Sequence, residues 1–216
     1  MFKQILLTQF KWTRTTLAMI TVLAFIAPAV AWRLGGMRHA PGARAVMDGF
    51  AVVGPAVAVL AILGAFMLVV QPWTIDNSSK HVYALSLPIT WSKYVGMRFA
   101  AGGLTLLVPT LALWFGALLA LSSIDMPSTL RAYPGTLALR FLIAALLAHA
   151  ATFALQYLAG TKAGVVMLVL LMTVLLGGFV LESTGNSALL SSMGRYLTDW
   201  PGPLAIFAAD WKLVDV

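Results

Sequence analysis

From Phe50 to Gln71 the chain carries no charged side chain, and the same is true from Phe99 to Leu121. Runs of this length match the ~20 residues that a helix needs to cross a hydrocarbon core of ~30 Å. Three further blocks, at 17–32, 137–158 and 163–181, are nearly as apolar. Hydrocarbon offers no partner to a backbone amide, so a spanning segment must satisfy its own hydrogen bonds, as a helix does. No alternation of apolar and polar residues suggests strands. The pattern predicts an all-α integral membrane protein with five transmembrane helices, built as a single transmembrane domain over residues 1–216. Composition agrees: 61% of the 216 residues are hydrophobic and 10% are charged, against roughly 25% charged in soluble domains. A soluble domain of this size has too small an interior to hide so much apolar surface.

Ahead of the first span, Phe2, Ile5, Leu6 and Phe10 share one helical face, which predicts an interfacial helix over 1–16 lying along the membrane surface. Ala29-Val30-Ala31 imitates a signal-peptidase site, but the long amphipathic lead favours a retained span. Gly54-Pro55 predicts a bend early in span 2, and Pro109 a kink in span 3, where Gly102-Gly103 permits close helix approach. Only Ala159 to Lys162 separate spans 4 and 5, which implies an antiparallel hairpin. Over 182–216 an external tail is expected, with a surface helix carrying Leu189, Leu190, Met193, Tyr196 and Leu197. Pro201-Gly202-Pro203 ends it, and the final stretch is too short to cross. With the N-terminus inside, seven basic residues fall on each side, so the positive-inside rule gives no orientation.

Several chemistries lack their residues. Cysteine is absent, which excludes disulfides and thiolate sites. The net charge of +7 suits anionic lipid head groups, and no basic cluster with interleaved aromatics points to nucleic acid. No phosphate-cradling glycine-rich loop with its lysine occurs. His39, His81 and His149 are too scattered for a metal site. No paired carboxylates or nucleophilic triad suggests an enzyme. Span 4 carries His149, Thr152 and Gln156 on one helical face. That face is either the wall of a polar pathway or a set of interhelical hydrogen bonds. Thr105, Thr110 and Thr173 are expected to bond back to their own helices.

The longest polar interval between spans, 72–98, carries Asp76-Asn77-Ser78, any of which can cap a short helix. That helix would run to Leu87 and stop before Pro88, whose ring disfavours helical geometry at the preceding residue. A second helix would start near Thr90 and flow into span 3. With Asp76 upstream and Tyr94-Val95 downstream, the run Tyr83-Ala84-Leu85-Ser86-Leu87-Pro88-Ile89-Thr90 resembles the cytoplasmic loop of permease subunits in the type-2 ABC exporter family.

The resemblance implies a transmembrane subunit of an ATP-driven exporter in the cell membrane. It would pair with a second copy or a homologous permease subunit. The short helix would be a coupling helix docked on a separate ABC ATPase subunit. ATP and magnesium would bind that partner, with no cofactor on this chain. By the same likeness, Asp76, Ser79, Lys80 and Tyr83 would serve the ATPase contact, and Leu85, Leu87 and Pro88 would set the turn. The chain departs from the pattern in having Trp91 where a basic residue is usual. It also shows five spans against the family's six, the sixth being expected after DWKLVDV. Two other classes stay open: a secondary transporter with His149 as its titrating group, and a non-transporting scaffold.

Overall fold

The computed structural model describes residues 1–36, 43–79, 88–123, 131–159, 205–208, 211 and 213–215, and the single positions 162, 166 and 192. In order, the elements are α1 (Phe2–Gly36), α2 (Ala43–Ser78), α3 (Trp91–Thr105), α4 (Leu107–Ser122), β1 (Arg131–Ala132), α5 (Pro134–Ala159), α6 (Ala205–Ala208) and β2 (Val214–Asp215). The chain divides into two compact units, one of Met1–Phe153 with Asp210–Val216, the other of Ala154–Ala209. In the second unit the described residues are the last turns of α5, helix α6 and the three single positions.

Among the described residues, four helical stretches are long and apolar enough to cross a membrane: Phe2–Leu34, Val53–Ser78, Trp91–Ser122 and Pro134–Leu158. The chain is therefore a multi-pass, all-helical membrane protein apart from the short β1–β2 pairing. The predicted fifth span, 163–181, and the predicted tail helix around 189–197 lie outside the described residues, apart from Val166 and Ser192.

Two expectations are revised. Residues 1–16 do not form a separate surface-lying helix; they are the first turns of a continuous α1. Their inward face is anchored, since Ile5, Gln9 and Thr13 are buried and Gln9 is bonded to α2. Likewise Asp76-Asn77-Ser78 do not cap a new helix but form the last turn of α2. Proline at position 72 lacks the amide that would bond the carbonyl of Leu68 four residues earlier. The Gln9 Nε2–H group donates to that carbonyl at 2.9 Å instead. With the orphaned oxygen satisfied, the helix continues through the proline.

A junction between two helical pieces lies ahead of Pro109 in span 3, at Leu106, which keeps right-handed helical angles of φ −69° and ψ −18°. Pro109 cannot bond the carbonyl of Thr105, and the chain passes from α3 to α4 at Leu106, whose amide bonds Gly103 O at 3.2 Å. The hydroxyls of Thr105 and Thr110 bond back to Gly102 O and Leu106 O, as expected.

Helix α1 is the centre of the first unit. It packs antiparallel to α2 and parallel to α3 and α4. Glycines set the spacing: Gly64 faces Ile20, while Gly49 and Gly116 meet the α1 backbone itself at Ala31 and Phe25. A Cβ at Gly49 or Gly116 would overlap those carbonyl groups. Helix α5 runs antiparallel to α3, with Leu146 against Gly103 and Phe153 against Phe99.

At the far end of the unit, β2 pairs antiparallel with β1, and Tyr133 N–H donates to Leu213 O at 2.8 Å. Trp211 and Leu213 are buried there; the Cβ and main chain of Trp211 lie against Gly54, and its indole sits under the Arg140 guanidinium at 4.8 Å. Among the described residues, then, part of the stretch expected to lead into another helix folds back onto the bundle.

Candidate functional site

Four helices bring polar side chains to the end of the first unit that holds the chain start and the turn into α3. Each contributes one inward face. Thr90 is extended and α3 begins at Trp91, so helical spacing buries Tyr94 and Arg98 one turn apart. In α2 the same spacing buries Val69, Trp73 and Asp76, in α1 Ile5, Gln9 and Thr13, and in α5 His149 and Phe153.

The centre is a carboxylate and a guanidinium. Asp76 is completely enclosed and Arg98 is 3% exposed. Asp76 Oδ2 accepts from Arg98 Nη1 in a close ion pair and from the Tyr94 hydroxyl at 2.9 Å. Arg98 Nη1 also donates to the Tyr94 oxygen at 2.8 Å, so each of the three groups touches the other two. Aromatic faces surround the cation: Trp73 at 4.7 Å, Tyr94 at 5.7 Å and Trp12 at 5.8 Å from the guanidinium carbon. A guanidinium is planar and weakly hydrated, which suits it to such an enclosure better than an ammonium.

A small space beside this cluster is lined by Gln9, Leu68, Trp73, Arg98, His149 and Phe153, among others. His149 Nε2 lies 3.1 Å from the carbonyl of Phe99. A carbonyl only accepts, so Nε2 carries the hydrogen and Nδ1 presents a lone pair. Nδ1 has no hydrogen-bond partner among the described residues. The ring rests against Phe99 at 5.1 Å and Phe153 at 6.0 Å. It fits because position 102 is glycine; a Cβ there would come within 2.5 Å of the imidazole.

A buried ion pair adds little net stability, but removing one partner strands the other in a poor solvent at a cost of about 3–5 kcal/mol. The arrangement therefore acts as a registering lock between the end of α2 and the start of α3. Among the described residues no cluster of histidine and carboxylate groups could hold a metal ion.

Of the residues singled out in the sequence, Asp76 is placed inside the bundle, not on a face open to a partner. Ser79 is exposed and bonds Ile75 O at 2.9 Å, closing the last turn of α2. Pro88 is exposed at the turn into α3. Lys80, Tyr83, Leu85 and Leu87 lie outside the described residues. His149 and Thr152 are buried in the first unit, and Gln156, which belongs to the second, is buried as well. The sequence reading overlooked the roles of Gln9, Trp73 and Arg98. A signal existed: one acid and one base border adjacent antiparallel spans, and Tyr94 and Arg98 share a face.

A family model described as ABC-2 family transporter protein matches residues 4–208 of the chain. No curated protein and no solved structure shows a significant match.

Proposed function

Because the chain belongs to the ABC-2 transporter family, we propose that this membrane transport component is the permease subunit of an ATP-driven exporter in the cell membrane. It would work with a second permease subunit and a separate ATPase, which would bind ATP and magnesium. The chain itself would not be an enzyme.

The observation carrying this reading is the lock of Asp76, Tyr94 and Arg98. It joins the two helices that flank residues 80–87, the segment proposed to dock on the ATPase. A push on a loop held by two independent helices would dissipate in their relative motion. With their ends tied by a buried ion pair, the same push moves both as one body. Asp76 then serves coupling from inside, by holding Arg98, and the docking contacts fall to Ser79, Lys80 and Tyr83, with Leu85, Leu87 and Pro88 shaping the turn. His149, Thr152 and Gln156 remain the polar face of α5.

Co-purification tests the partnership: a tagged chain should bring down an ATPase in fixed stoichiometry, and stable isolation without one refutes it. Tyr83→Asp or Leu85→Asp should leave insertion intact while separating hydrolysis from transport. Unchanged transport in both variants would remove the coupling role.

A further inference from the structure

We propose that the first four turns of α1 form a docking face for the head groups of anionic phospholipids. The span Phe2–Leu34 contains 33 residues, which is about 50 Å of helix at 1.5 Å per residue. The hydrocarbon core takes ~30 Å, or ~20 residues. Counting back from Leu34, the surplus runs from about Arg14 to Phe2, about 20 Å of helix, which crosses the head-group layer of about 5–8 Å and rises beyond it.

Its two faces differ. Ile5, Gln9 and Thr13 are buried against the bundle. Opposite them Lys3, Leu7, Phe10, Lys11 and Arg14 are all exposed, and at 100° per residue they fall within an arc of about 100°. Cations interleaved with apolar side chains on one arc suit the boundary between head groups and acyl chains. Lys11 and Arg14 reach the phosphates with Phe10 packed among the head groups, and Lys3 adds attraction from within about a screening length of ~8–10 Å. Lys93 of α3 is exposed too, at the same end of the bundle, next to Tyr94, which packs on Ile5.

Charge complementarity selects the occupant. Of the seven acidic residues, Asp76 is the one whose side chain is described, and it is enclosed and matched by Arg98. Nothing described on this surface offsets its cations. The proposal does not depend on an ATPase or on transport, so it stands or falls separately from the permease reading.

The test uses the full chain in nanodiscs of 4:1 phosphatidylcholine to phosphatidylglycerol, with retained lipids counted by native mass spectrometry. Each basic group near an anionic surface contributes on the order of a fivefold preference, so K3Q/K11Q/R14Q should lose the phosphatidylglycerol preference by roughly 100-fold or to background. R33Q, at the other end of α1, should retain it, and circular dichroism checks that both variants fold. The preference should also weaken as salt shortens the screening length to ~3 Å at 1 M. Equal retention of the two lipids by the unaltered chain overturns the proposal. So does a triple variant that binds phosphatidylglycerol normally, or one that loses only a bound polypeptide.

Discussion

Replacing Asp76 with Asn while leaving Arg98 in place puts a guanidinium into a closed site with no opposite charge. The site leaves little room for rescue by water, since the two side chains are 0% and 3% exposed. Losing one member of such a pair costs about 3–5 kcal/mol. For Arg98→Gln the loss also includes the aromatic enclosure, of which Trp73 at 4.7 Å is the nearest face and worth on the order of 1–2 kcal/mol. The double variant D76N/R98Q strands no charge. Its destabilisation should fall short of the sum of the single effects by about 3 kcal/mol, a large coupling for two residues in contact. Unfolding in mixed micelles with increasing SDS measures all three. Single variants within about 0.5 kcal/mol of the parent chain, or costs that simply add, would show that the pair is not a lock. The rigid-body account of loop movement would fail with it.

Three further perturbations follow from the packing. Gln9→Leu should cost about 1–2 kcal/mol by leaving Leu68 O without its donor, and adding Pro72→Ala should recover most of it by returning an amide four residues on; no recovery in the same unfolding assay counts against the link. Gly102→Ala should destabilise by about 1–3 kcal/mol through collision with the imidazole, and His149→Ala should relieve part of that, so strictly additive costs would refute the contact. Trp211→Ala should cost about 3 kcal/mol by removing the buried indole from beneath Arg140, with the loss read as an earlier thermal transition; an unchanged melt would mean that the returning segment is not part of the fold.

The spans were legible because a bilayer imposes one length and one polarity, and runs such as Phe50–Gln71 meet both. The junction before Pro109 was legible for a local reason, the missing amide. What escaped notice was non-local. Pro72 looks like the end of a helix until Gln9, far away in sequence, supplies the donor that the proline lacks. Asp76 looks like a surface acid beside serines until Arg98 arrives from the next helix. The same blind spot separated 1–16 from the first span: its amphipathic pattern reads equally well whether the buried face meets lipid or protein, and the structure chooses protein.

Leu106 parts α3 from α4 yet keeps right-handed helical angles, φ −69° and ψ −18°, so the two pieces continue one 32-residue run. Pro109 still leaves the carbonyl of Thr105 without its usual helical donor, and a tilt would cost least where that bond is missing. Arg98 sits two turns from this junction, about 12 Å along the axis, so a tilt of about 10° there would carry its guanidinium roughly 2 Å. Gly116 is seated directly on the α1 main chain, so such a tilt would fall to the half that carries Arg98.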